Sequence, residues 1–222
     1  MLSIVATPIG NLGDITLRAL DVLRNCDAIV CEDTRVTGFL LKALEIPKKE
    51  FISMHSYSKP EKVGVIIKRL KEGQHLALVS DAGTPGISDP GYALVSEARK
   101  ADINIEVIPG PSAFLTALSG SGLPINQFTY LGFLPIKKGR KTLLESFANE
   151  KRTLVFYESV HRIEKTLLEL AEALQSQPDR SVVIGRELTK MYEEIITTTI
   201  GDLAETAKEI KKKGEFVIII GP

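Results

Sequence analysis

The chain has 222 residues, enough for one large or two modest α/β cores. Its 28 basic and 28 acidic side chains cancel, which excludes a polyanion-seeking field over the whole molecule and leaves any nucleic-acid contact to a local patch. No apolar run reaches membrane-spanning length, and Met1-Leu2-Ser3-Ile4-Val5 enters a strand without a basic leader, so a cytoplasmic protein without a signal peptide is expected.

Ser3-Ile4-Val5-Ala6 reads as a short apolar strand, followed by Thr7-Pro8-Ile9-Gly10-Asn11-Leu12-Gly13-Asp14, a stretch of turn residues. Asp14 or Thr16 can cap the next helix, in which Leu17, Leu20 and Leu23 fall at helical spacing. Ala28-Ile29-Val30-Cys31 is a second buried strand with Glu32-Asp33-Thr34-Arg35 at its carboxyl end. Cys26 and Cys31 are the only cysteines; without a second pair or clustered histidines they read as core residues, and no metal is expected. A helix over 37–44, a strand over 51–54 and a helix over 60–72 follow.

Leu76-Ala77-Leu78-Val79 is a continuous apolar strand that breaks into Ser80-Asp81-Ala82-Gly83-Thr84-Pro85-Gly86-Ile87-Ser88-Asp89-Pro90-Gly91. Such a density of glycine and proline fixes an unusual backbone path that a ligand can approach closely; the plainer reading is a structural turn. Ser88 or Asp89 is expected to cap a helix whose first turn holds Pro90 and which runs over 92–100. A strand over 105–108 and Pro109-Gly110-Pro111-Ser112 lead into a helix starting near Ser112. Alternating strands and helices predict a mostly parallel sheet with helices on both faces.

Ser119-Gly120-Ser121-Gly122-Leu123-Pro124 interrupts that alternation, giving an expected N-terminal α/β domain over 1–118, a linker over 119–125 and a C-terminal α/β domain over 126–222. The second half reads as strand 129–132, helix 141–149, strand 153–157, helix 160–174 capped by Ser159, strands 181–185 and 194–200, a last helix opened by the capping-box form Asp202-Leu203-Ala204-Glu205, and strand 216–220. A hairpin-like pair predicts antiparallel strands there, hence a mixed sheet.

The phosphate-binding Gly-x-x-x-x-Gly-Lys-Ser/Thr, the dinucleotide Gly-x-Gly-x-x-Gly and the Gly-x-Ser-x-Gly elbow are all missing from the sequence. What recurs at strand ends is a small-residue or proline turn, at 7–10, 81–88, 109–113 and 131–133, exposing backbone amides and carbonyls along one rim. Such a rim suits a ligand recognised through backbone and shape.

The words Val5-Ala6-Thr7-Pro8-Ile9-Gly10-Asn11-Leu12-Gly13-Asp14, Glu32-Asp33-Thr34-Arg35, the loop from Ser80 to Gly91, Pro109-Gly110-Pro111-Ser112-Ala113, Gly132-Phe133-Leu134-Pro135, Tyr157-Glu158-Ser159 with His161-Arg162, and Gly185-Arg186-Glu187-Leu188-Thr189-Lys190 stand in one order along the chain. In these words the chain resembles the class III S-adenosylmethionine-dependent methyltransferases, the tetrapyrrole methylase superfamily, and within it the ribosomal RNA small subunit methyltransferase I family. The resemblance implies a two-domain tetrapyrrole methylase-like fold with the donor in a cleft between the domains, usually in a homodimer, and 2′-O-methylation of a cytidine of 16S ribosomal RNA in the decoding region.

Carried over by position, it implies donor contacts at Ile9, at Asp81, Ala82, Gly83, Ile87 and Ser88, and at Ser112 and Ala113, closed by Leu131, Phe133, Tyr157, Glu158 and Leu188. The chain departs from the family pattern at His55-Ser56-Tyr57-Ser58-Lys59 and in ending at Pro222, where many relatives continue.

Methyl transfer to a ribose hydroxyl asks the protein to align donor carbon and acceptor oxygen, to accept a proton and to hold the RNA. Glu32, Asp33, Arg35, His55, Glu158 and Arg186 are the catalytic candidates: one carboxylate or His55 accepts the proton while Arg35 or Arg186 holds phosphate. The plainer readings are a helix cap with its ion pair for 32–35 and a mutual pair for Arg186 and Glu187. Lys137, Lys138, Arg140 and Lys141 form the densest basic cluster and, with His161 and Arg162, are the RNA-binding candidates. Lys211-Lys212-Lys213 is equally basic but ends a helix, where lysines complement the dipole. The competing readings are a methyltransferase of the same fold acting on a small molecule such as a tetrapyrrole, and a binding module without turnover.

Overall fold

The computed structural model describes residues 1–55, 60–89 and 91–222; the departure at 56–59 and the expected place of Pro90 in a helix lie outside them. The chain forms two compact units, Met1–Ser112 and Ala113–Pro222. The division falls ahead of the segment expected as the linker.

The first unit runs β1 (Leu2–Val5), α1 (Leu17–Asn25), β2 (Ala28–Cys31), α2 (Thr34–Ala43), β3 (Glu50–Ser53), α3 (Pro60–Lys71), β4 (Leu76–Val79), α4 (Tyr92–Lys100) and β5 (Ile105–Ile108). All its strand pairs are parallel, in the order β3-β2-β4-β1-β5. Alternation along each strand sends side chains to opposite faces. Ala28, Val30, Leu76 and Leu78 pack with Ile66 and Leu70 of α3 and Leu94 of α4. Ile29, Cys31, Ala77 and Val79 pack with Leu23 of α1 and Leu41 of α2. Helices therefore cover both faces, and both cysteines are buried free thiols, as expected.

The second unit runs α5 (Ala113–Gly120), β6 (Phe128–Phe133), α6 (Arg140–Ser146), β7 (Thr153–Glu158), α7 (Ile163–Ala173), β8 (Ser181–Arg186), β9 (Glu194–Thr199), α8 (Leu203–Glu209) and β10 (Phe216–Ile220). Its sheet is mixed, in the order β6-β7-β10-β8-β9: β6 pairs with β7 in parallel, and β10 pairs with β7 and β8 in antiparallel register. Leu154, Phe156, Val182, Ile184, Phe216 and Ile218 meet α7 and α8 through Leu167, Leu170 and Leu203. α5 packs on β7 and β10, which is why the unit opens at Ala113.

Several helix starts differ from the expectation. Thr16 caps α1 by accepting the Ala19 N–H (3.1 Å), while Asp14 belongs to a short 3-10 helix, Leu12–Asp14. Asp33 accepts the Arg35 N–H (2.8 Å), so α2 begins at Thr34, earlier than expected. Gly91, not Ser88 or Asp89, stands at the start of α4. The Ser159 carbonyl accepts N–H groups from Arg162 and Ile163, both at 3.0 Å, so 159–162 is a turn ahead of α7. Asp202 precedes α8 without capping it; its carboxylate accepts the Thr199 hydroxyl instead (2.9 Å).

Candidate functional site

Because β4, β1 and β5 are neighbours running the same way, the loops leaving their carboxyl ends emerge side by side. Hydrogen bonds then join them. Thr7 and Gly83 exchange backbone N–H···O bonds (2.9 and 3.0 Å), the Thr7 hydroxyl donates to Ser80 O (3.1 Å), and the Thr84 hydroxyl donates to Pro111 O (3.0 Å). The Asp33 N–H donates to Asp81 Oδ1 (3.1 Å), adding the loop after β2.

The close fit leaves little room for side chains. Gly83 holds φ +81°, and a Cβ there would lie 3.4 Å from Ile9 Cγ2; at Gly110 it would lie 2.8 Å from the Ala6 Cβ. Ile9, Gly83 and Ser112 are buried in this rim, Ile87 is half-buried, and Asp81, Ala82 and Ser88 are exposed. Ser88 also holds a positive φ of 62°. The first-unit donor-contact candidates thus lie on loops bonded to one another.

The rim is acidic. Burial, with the negative charges of Glu32 and Asp81, pushes the Asp89 carboxyl up to about 6. Glu32 is half-buried. Asp33 is held far below the usual carboxylate range, chiefly by its hydrogen bonds from the Arg35 side chain (Nη2–Oδ2 2.6 Å) and backbone. A carboxylate so stabilised is a poor proton acceptor. His55 is exposed and shares a hydrogen bond with the Ser53 hydroxyl (2.9 Å).

In the second unit the candidates divide. Glu158 is 1% exposed: it accepts from the Ser159 N–H (2.7 Å) and the Thr166 hydroxyl (2.7 Å), and pairs with Arg162 Nε (2.8 Å) and, at 3.7 Å, Arg140 Nη2. Both its oxygens are engaged, which removes its carboxylate as proton acceptor. Arg140, expected in an exposed basic cluster, is 6% exposed and bonded to Glu169 (2.7 Å), Thr166 (2.6 Å) and Pro135 O (3.1 Å). Arg162 is half-buried and donates to Leu134 O (3.0 Å). Arg186, 4% exposed, divides its donors among Glu194 Oε2 (2.7 Å), Lys213 O (3.0 Å) and Tyr192 O (3.2 Å), tying the start of β9 to β8. Neither Arg140 nor Arg186 is placed to meet a phosphate; their guanidiniums hold the unit's own loops.

Lys137, Lys138, Lys141 and His161 are exposed. Phe133, 55% exposed, lies 5.5 Å from the Tyr157 ring, which meets Tyr130 edge-on at 5.6 Å. Leu131 is half-buried, Leu188 is buried over Gly185, and Ala113 opens α5. Asp89 titrates as the sequence does not reveal: Asp81 lies in the same loop, but Glu32 reaches it only because β2 and β4 are neighbours.

A family model described as tetrapyrrole (corrin/porphyrin) methylases matches residues 1–204. A protein of Escherichia coli O157:H7 named ribosomal RNA small subunit methyltransferase I is 48% identical over 222 residues, covering 99% of this chain and 77% of its own. Among solved structures, a cobalt precorrin-4 methyltransferase of cobalamin biosynthesis shares the fold at a TM-score of 0.70 and 23% identity, covering 99% of this chain and 94% of that one. A Thermus thermophilus uroporphyrin-III C-methyltransferase complexed with S-adenosylhomocysteine does so at 0.65 and 19%, covering 98% and 96%. With close to half of its residues shared along nearly its whole length, this chain belongs to the ribosomal RNA small subunit methyltransferase I family of the tetrapyrrole methylases.

Proposed function

We propose that this chain transfers the methyl group of S-adenosylmethionine to a cytidine ribose 2′-hydroxyl of 16S ribosomal RNA in the decoding region, in the cytoplasm and as a homodimer. The observation that carries the reading is the bonded rim of the first unit, in a chain sharing 48% of its residues with a small-subunit ribosomal RNA methyltransferase. The rim fits the donor chemically: its backbone groups suit a nucleoside recognised by shape, and the carboxylates of Asp81, Asp89 and Glu32 suit a ligand bearing a sulfonium and an ammonium. When bound, that donor supplies an electrophilic methyl group.

The chain's own work is to bind, orient and move a proton. Ile9, Asp81, Ala82, Gly83, Ile87, Ser88 and Ser112 hold the donor. With Glu158 enclosed and Asp33 held ionised by Arg35, Glu32 and His55 are the remaining proton acceptors, and Arg35 is the remaining phosphate contact among the catalytic candidates. Lys137, Lys138, Lys141 and His161 meet the RNA backbone.

Incubation with labelled donor and small subunits from a strain lacking the modification, followed by mapping of the label, tests the reading. Label on one cytidine ribose is expected. Label on a small molecule such as a tetrapyrrole, or none on RNA, overturns it. Glu32→Gln and His55→Ala, assayed for methyl transfer with donor binding intact, identify the proton acceptor.

A further inference from the structure

Two arginines that a sequence reader assigns to a basic surface, Arg140 and Arg162, turn inward onto one carboxylate. Glu158 sits between them, 2.8 Å from Arg162 Nε and 3.7 Å from Arg140 Nη2, and the Thr166 hydroxyl, 2.7 Å from Glu158 and 2.6 Å from Arg140, links the set. Arg140 Nε is held by Glu169 Oε2 (2.7 Å), and one further arm of each guanidinium reaches the same short segment. Arg162 Nη1 donates to Leu134 O (3.0 Å) and Arg140 Nη1 to Pro135 O (3.1 Å). The Arg140 N–H closes the far end of that segment on Lys137 O (3.3 Å), and the Leu134 side chain, 2% exposed, anchors the near end in the core.

Between these anchors Ile136 is 72% exposed, and Lys137 and Lys138 project into solvent. Neither lysine has an ion-pair partner among the described residues, whereas Lys141 lies 3.8 Å from Glu145. A connection with two exposed cations would ordinarily be mobile; here it is fixed by a buried charge cluster whose members are fully engaged.

We propose that Arg140, Glu158, Thr166 and Arg162 form a clamp that positions the 134–139 segment so that Lys137 and Lys138 grip RNA phosphates. The inference rests on the proposed ribosomal RNA substrate. Arg140, Glu158 and Arg162 are positioning residues, touching no substrate themselves; fixing in advance the backbone that carries the two lysines removes an ordering cost from binding. The clamp therefore acts on RNA affinity through residues it does not replace.

Steady-state methyl transfer to small subunits lacking the modification, at several salt concentrations, tests this with Arg162→Lys, with Thr166→Val as a second clamp variant, with the pair Lys137→Ala and Lys138→Ala, and with Arg162→Lys added to that pair; thermal melts confirm folding. The lysine pair raises KM about tenfold or more and flattens the salt dependence of RNA binding by up to about two in log–log slope. Arg162→Lys and Thr166→Val raise KM more than they lower kcat and flatten the same slope, although neither removes a surface charge. Arg162→Lys adds less than about twofold to the lysine-pair variant, since the lysines it positions are already gone.

Limited trypsin digestion reads the segment without RNA: cleavage after Lys137 and Lys138 quickens in both clamp variants relative to other sites. Unchanged cleavage overturns the clamp, and losses that multiply in the combined variant overturn its link to the lysines. No label from the unaltered protein sinks the functional reading and the RNA half of the proposal, while trypsin still decides the clamp.

Discussion

Gly110→Ala places a methyl group 2.8 Å from the Ala6 Cβ and 3.6 Å from the Ala6 carbonyl oxygen. Apolar carbons rest about 3.5–4.0 Å apart, so the end of β1 or the Pro109-Gly110-Pro111 turn must move by about 1 Å. Neither gives easily: Ala6 is 1% exposed, and the turn is tied by the Thr84 hydroxyl on Pro111 O (3.0 Å). Overpacking of this kind costs about 1–3 kcal/mol. At about 2–4 °C per kcal/mol for a chain of this size, a cost near 2 kcal/mol lowers the melting temperature by about 4–8 °C. Each 1.4 kcal/mol of lost rim geometry weakens the donor about tenfold. Scanning calorimetry and titration calorimetry with S-adenosylhomocysteine measure the two effects. Gly64→Ala is the internal control: it lies within α3, no neighbouring atom stands within 4 Å of the position its Cβ would take, and removing a helical glycine stabilises by about 0.5–1 kcal/mol without touching the rim. A Gly110→Ala protein that melts and binds as the unaltered one does refutes the close-fitting rim as the determinant of the donor site.

Asp89→Asn tests the acidic rim through pH. The folded carboxyl, raised from 3.8 to about 6, holds its proton more tightly than the unfolded one, so its contribution is fully present below about pH 4 and lost as pH rises through 6. Full linkage corresponds to about 3 kcal/mol, and solvent screening at this half-buried group brings it to about 1 kcal/mol. The variant should therefore melt higher than the unaltered protein at pH 7.5 and equally at pH 4; equal melting at both sinks the assignment. Glu158→Ala leaves the buried Arg140 and the half-buried Arg162 without their shared carboxylate and is expected to cost about 3–5 kcal/mol in urea unfolding, against which a loss under about 1 kcal/mol would count decisively. Thr16→Ala removes the α1 cap and should cost about 1 kcal/mol in the same assay.

The first sheet was legible because β2 and β4 are uninterrupted apolar runs closed by turn residues, and β2, β5 and α4 fall at their expected bounds. Helix starts were less legible, since several candidate caps stand together and only the backbone path decides which side chain reaches an N–H, as with Asp14 and Thr16. The second unit's charged residues misled for a different reason. Glu158 follows Leu154 and Phe156 at period two on β7, Arg186 follows Val182 and Ile184 on β8, and both stand opposite Phe216 of β10. Arg140 likewise precedes Leu144 and Phe147 on a helical stripe, and all three are buried. Periodicity thus carried the signal that these charges face inward, but motif and charge density suggested a surface. Arg162 stands four residues from Glu158, but Arg140 meets Glu158 and Glu169 only in the fold.

β1 has a further consequence, for biosynthesis. It lies between β4 and β5, pairing Leu2 with Leu76 on one side and with Ile105 on the other. During translation this apolar strand waits, unpaired along both edges, until most of the first unit has left the exit tunnel. Nascent chains stopped short of Leu76 therefore display an open β-edge, the kind of segment that holding chaperones cover and that associates with its own copies when left uncovered.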